Sequence, residues 1–202
     1  MSPAKVTLSP KERELVTDAS FILTKNAIIG KVYDLFGQLS ENYRELYQES
    51  ALSTLNLPGF ASPKIARGEQ YLGLPWVMLD QPRHFSKEDT LAIRSFFWWG
   101  NFCSITLQLS GISQQKFASH IASYFHNHPA AVGEWWIGTG DDPWQHHFWE
   151  DNYMPLQADN IPLLASMPHC KLAKKIPLTE WDSFPEFYQT AYRELMNMLA
   201  GN

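Results

Sequence analysis

Three groups of residues carry side chains able to do chemistry. The first is rich in histidine: His126-Asn127-His128, and His146-His147 followed by Glu150 and Asp151. Imidazole nitrogens and carboxylates are the ligands of zinc and iron. A cluster of them around an open coordination position would activate water, so one reading of the chain is a metal-dependent hydrolase or oxygenase. The spacing limits that reading. If Trp144 to Glu150 is a strand, His146 and His147 point to opposite faces and only one of them can join a given metal site. The same histidines in wet surface loops would do no chemistry.

The second group is Asp80-Gln81-Pro82-Arg83-His84, which comes after an apolar run through Trp76, Val77, Met78 and Leu79. A strand end that delivers an acid, a guanidinium and an imidazole into a proline turn makes the polar corner of a pocket. Asp80 capping the turn and Arg83 in a salt bridge would account for the same residues structurally. The third group is Phe96-Phe97-Trp98-Trp99, echoed by Trp135-Trp136 and by Trp144 with Trp149. Adjacent residues on a strand face opposite sides. One ring of each pair can therefore enter a core while its neighbour lines a cleft or an interface.

The leading expectation is a binding domain for a small, partly apolar ligand in an aromatic cleft. Trp76, Trp98, Trp99 and Trp135 supply its walls, and Asp80, Arg83 and His84 its polar end. A third reading is a homodimer that uses exposed tryptophans or a seam through Ile29, Phe36 and Tyr43. No Walker A, GxGxxG, GxSxG or HExxH motif occurs. Gly138-Thr139-Gly140 holds only the first half of a dinucleotide fingerprint and reads as a turn. The cofactor is left unknown by the sequence, and Cys103, on the apolar side of its strand, reads as an inert thiol.

These residues need elements to position them. Ser9-Pro10-Lys11-Glu12 is a capping box with proline at the first helical position. Beyond it Leu15, Ile22, Ile29, Phe36 and Tyr43 recur every seven residues, which predicts two helices broken near Asn26 to Gly30. Ser50 to Gly68 reads as a loop, and Tyr71 to Asp80 as a strand buried on both faces. Ser86-Lys87-Glu88-Asp89 resembles the start of a short helix to about Ser95. Cys103, Ile105, Leu107 and Leu109 alternate with polar residues, the pattern of a half-buried strand. Ser113 is placed to cap a helix through Phe117, Ile121 and Tyr124. Glu134 to Gly138 and Trp144 to Glu150 read as strands of a hairpin, and Cys170 to Leu178 as a last strand with Lys171, Lys174 and Lys175 on a solvated face. Ser183 and Glu186 form a second capping box, and Phe187, Ala191, Leu195 and Met198 make an apolar stripe that Gly201 ends.

Helices, then strands interrupted by short helices, then a terminal helix predict an α+β fold. Its largely antiparallel sheet of about five or six strands packs against N-terminal and C-terminal helices. The 202 residues fit one domain, with a helical segment at about 9–49, a sheet-containing core at about 62–178 and a C-terminal helix at about 183–200. Two cysteines far apart suit a reducing compartment, and Met1 to Lys11 shows no charged then apolar leader, so a soluble cytoplasmic protein is expected. The net charge of −5, with 16 basic and 21 acidic residues and no basic block, argues against nucleic acid. Ser95 to Gln115 has no charge, but its alternation marks a strand and no membrane partner is expected.

Overall fold

A computed structural model describes residues 6–60 and 62–201; Met1 to Lys5, and with them part of the predicted leaderless start, lie outside, as do Ala61 and Asn202. The chain is α+β. One antiparallel sheet runs in the order β1-β2-β3-β4-β7-β5-β6, seven strands where five or six were expected. The strands are β1 (Lys64–Tyr71), β2 (Leu74–Phe85), β3 (Asp89–Trp98), β4 (Phe102–Ser110), β5 (Trp136–Gly138), β6 (Tyr153–Pro155) and β7 (His169–Pro177).

The capping box at Ser9 forms as predicted and opens α1 (Pro10–Thr17), its hydroxyl accepting from Glu12 N while the Glu12 carboxylate accepts from Ser9 N. The helix break lies earlier than predicted. Asp18 adopts an extended conformation and its carboxylate caps α2 (Ala19–Glu49), which continues unbroken through Asn26 and Gly30. The seven-residue seam is used internally: Ile29, Val32, Phe36, Leu39 and Tyr43 are buried against the protein's own sheet and against α5 (Phe184–Ala200), the terminal helix that follows the one-turn α4 (Leu163–Ser166). Tyr43 stacks on Tyr192 with ring centres 3.7 Å apart and shares a hydrogen bond with Ser95. Only the seam's beginning, Leu15 and Ile22, is exposed.

Directly opposed residues of antiparallel strands share a face, so the register sorts the sheet into two sides. On one side Val77, Leu79, Leu91, Ile93, Phe97, Ile105, Leu107 and Leu172 form the main core beneath α2, α3 (Gly111–Asn127) and α5. On the other side stand Asp80, Arg94, Phe96, Trp98, Thr106, Gln108 and Lys171. Part of this second side is covered by residues 139–152, a strap that links β5 to its partner β6.

Several local expectations give way to longer-range partners. Ser86 makes a turn, its hydroxyl accepting from Glu88 N and Asp89 N; the chain then enters β3, paired on both edges, and not a helix. Helix α3 begins at Gly111, and its free Ser113 N–H is capped from the neighbouring strand by Asp89 at 2.7 Å. Trp144 to Glu150 is not a strand. Its backbone groups are met by the Tyr71 and Lys171 side chains and by local turn bonds to Asp142, Trp149 and Asn152, so no ladder forms. Ser183 does stand at the N-cap position of α5, but the predicted capping box does not form: a 3₁₀ turn delivers Ser183 in a helical conformation, from which its hydroxyl makes no capping bond. Gly201 does end α5, at a φ of 80°. No helix among the described residues is long and apolar enough to cross a membrane.

Candidate functional site

A cleft of about 430 Å³ opens on the second side of the sheet. Its floor is Met78 and Phe96, neighbours on β2 and β3. Trp76 and Tyr71 wall it at the β1 edge, and Trp144 and His146 wall it from the strap. Tyr71 meets its neighbours edge-on, 5.6 Å from Phe96 and 5.1 Å from Trp98, and His146 lies tilted over Phe96 at 4.8 Å. Gly68 lines the same wall because a Cβ there would come within 2.6 Å of the Trp76 indole nitrogen.

Arg94 is the one cation in the lining. It stands opposite Asp80 on β2 and Thr106 on β4. Its Nε donates to Asp80 Oδ1 at 2.8 Å, and its guanidinium is flanked by the Phe85 and Trp144 rings at 5.4 and 5.3 Å. Nη1 is buried and finds no acceptor among the described residues.

The strap is fastened by side chains. The Tyr71 hydroxyl accepts from His146 N at 2.6 Å and His147 N at 3.0 Å. Lys171 Nζ donates to Gln145 O and Asn152 Oδ1, both at 2.9 Å, and lies 4.6 Å from the Tyr153 ring centre. Lys171 is fully buried where a solvated position was predicted, because the strap covers its side of β7. Gly138 permits that closeness, since a Cβ there would meet Lys171 Cβ at 2.6 Å. Lys174 is also buried, on the helical side, paired with Glu134 and Glu194, while Lys175 lies over the Trp136 ring.

Burial sets the protonation of this region. It pushes the Lys171 amine down to about 8, opposed by Asp142 and assisted by Arg94. Burial also holds His146 well below the ordinary histidine value, and the charges of Arg94, Lys171 and His147 add to this, so at neutral pH its ring is uncharged. The Tyr153 hydroxyl, beside Thr106, is pushed upward by burial and stays protonated; it too has no hydrogen-bond partner among the described residues.

The predicted site residues divide between the two sides. Trp76 lines the cleft, and Trp98 packs behind it with its indole N–H donating to Tyr71 O. Asp80 is the partner of Arg94, and Arg83 lies on the same side one row away, opposite Ala92 beyond a bulge. His84 lies opposite Leu91, with Nε2 3.3 Å from Asp89. Trp99 and Trp135 join the helical core, Trp135 fully buried and donating to Glu194, so they do not share a cavity with Trp76.

Of the candidate metal ligands, His126 and Glu150 are exposed, and His128 stacks on Tyr124 with Nδ1 2.9 Å from its carbonyl. His147 faces Trp149 and lies 3.8 Å from Asp151. Among the described residues no three His, Cys, Asp or Glu side chains meet in a group able to hold a metal ion. Tyr71, Arg94, Phe96 and Lys171 carry no motif that marks them in the sequence as parts of one site. Arg94 has one legible signal, as the single charge in an otherwise uncharged, mostly apolar run from Thr90 to Trp99.

No family model, curated protein or solved structure matches this chain.

Proposed function

We propose that the protein binds a small, partly apolar molecule in the cleft between β1, β2, β3 and the strap. The carrying observation is a concave space of about 430 Å³ walled by Tyr71, Trp76, Phe96 and Trp144. That volume falls in the range of small-molecule sites, and apolar walls with few polar groups are their usual composition. Trp76 and Trp144 belong to two separate segments of chain. A flat molecule between them would bury both rings while leaving the helical core untouched. Native mass spectrometry of protein purified from its host should show an added small-molecule mass that is lost in Trp76→Ala. Absence of such a mass, together with unchanged tryptophan emission across a fragment library, would overturn the reading.

A second reading, self-association, is favoured by a different observation. Leu15, Val16, Phe21, Ile22 and Leu23 are all at least 40% exposed, on α1 and the first turns of α2. An exposed apolar patch of this kind marks a contact surface, and a second copy of the chain is its proposed occupant. The seam at Ile29, Phe36 and Tyr43 would play no part, being already buried. Light scattering decides between monomer and dimer.

A further inference from the structure

We propose that the ligand of the aromatic cleft is a carboxylate, an organic acid with a flat apolar body whose anionic group is received by Arg94. The inference rests on the cleft being a binding site and adds the chemical class of what binds.

Arg94 has five N–H donors and no way to lose its charge. Asp80 takes the Nε donor; Nη1 has no acceptor among the described residues although it is buried. Arg94 lines the cleft with only its Nε donor paired among the described residues, so an acceptor that enters the cleft can take the guanidinium's remaining donors. The planar guanidinium fork suits a planar carboxylate, and a charge-assisted bond there is stronger than a neutral one. Trp144 forms the outer cover of the guanidinium and is itself about half exposed. A ring held against Trp76 can therefore carry its acid group to Arg94 along the Trp144 face.

The distribution of charge points the same way. The whole chain is acidic, at −5. Yet on the second side of the sheet the paired strands place Lys64, Arg83, Arg94, Lys171 and Lys175, against one carboxylate, Asp80; the other acid at the cleft, Glu69 in its rim, is exposed and paired with Lys25. The acids of the strap, Asp141, Asp142, Glu150 and Asp151, reach solvent, where their field is screened. A cationic face inside an acidic protein attracts anions and repels cations. A phosphate would call for several converging donors, whereas a single cation enters the lining of this cleft.

The experiment uses the full chain and three probes of one shape: 2-naphthoate, its neutral amide, and 2-naphthyl phosphate, titrated by calorimetry. The expected result is that naphthoate binds about tenfold or more tighter than the amide, the scale of one charge-assisted hydrogen bond. It should also bind tighter than the phosphate. Arg94→Gln should bring naphthoate down to the amide's affinity without changing the amide's own, while Trp76→Ala weakens both. Equal binding of naphthoate and amide, both lost in Trp76→Ala, would overturn the carboxylate and leave the cleft standing. Preference for the phosphate would also overturn it. Binding of none of the three would remove the cleft reading itself. Because the comparison of probes on the unaltered protein needs no variant, a destabilised Arg94→Gln would not protect the proposal.

Discussion

Lys171 stands between Cys170 and Leu172, both buried in the helical core, so alternation correctly puts its side chain on the other side of the sheet. Alternation says nothing about what covers that side, and here the strap does. Because burial pushes the amine from 10.5 down to about 8, the folded protein gives up this proton at lower pH than the unfolded chain. Between those two values the unfolded state holds the extra proton. The contribution of this group to stability is therefore smallest below pH 8, rises with pH across the window, and is complete above about 10.5. Urea midpoints of the wild type and Lys171→Met, compared at steps from pH 8 upward, should diverge in favour of the wild type. A constant difference would mean that the amine is solvated in the folded protein.

The strap is illegible in the sequence for a physical reason that also makes it testable. Three of its backbone groups are satisfied by Tyr71 and Lys171, whose positions depend on the finished sheet. The same reason applies to α3, whose cap is supplied by Asp89 from another element, and to β3, whose Ser86 turn mimics a helix start until β2 and β4 flank it. Elements whose partners are local, the Ser9 capping box and the Gly201 terminus among them, are legible from their own residues. Tyr71→Phe removes one oxygen that accepts two backbone N–H groups, and leaving such groups unmet costs about 1–3 kcal/mol. Hydrogen exchange at the His146 and His147 amides should quicken in this variant while amides in the helical core keep their protection. Unchanged exchange at those two positions would show that Tyr71 does not fasten the strap.

At the scale of the molecule, the α+β class and the helices at each end come from the order of periodic segments, and the candidate site does not. Trp76, Trp98, Trp99 and Trp135 resemble one wall because their rings are alike, yet strand alternation sends Trp98 and Trp99 to different destinations. Only the register shows which tryptophan joins Arg94. The net charge likewise hides that cations gather on one side of the sheet. The arm formed by α1 and the first turns of α2 is the part of the molecule least accounted for by the core. No residue of α1 is buried, and burial in α2 begins only at Ile29, although its 31 residues extend about 46 Å. Deleting residues 1–17 keeps the Asp18 cap and removes exposed surface, so the urea midpoint measured at low protein concentration should move by no more than about 0.5 kcal/mol in stability. If the arm joins two copies, light scattering should give a dimer mass for the full chain and a monomer mass for the shortened one. A full chain that stays monomeric at high concentration would end the self-association reading, whereas a large fall in midpoint would show that α1 supports the core.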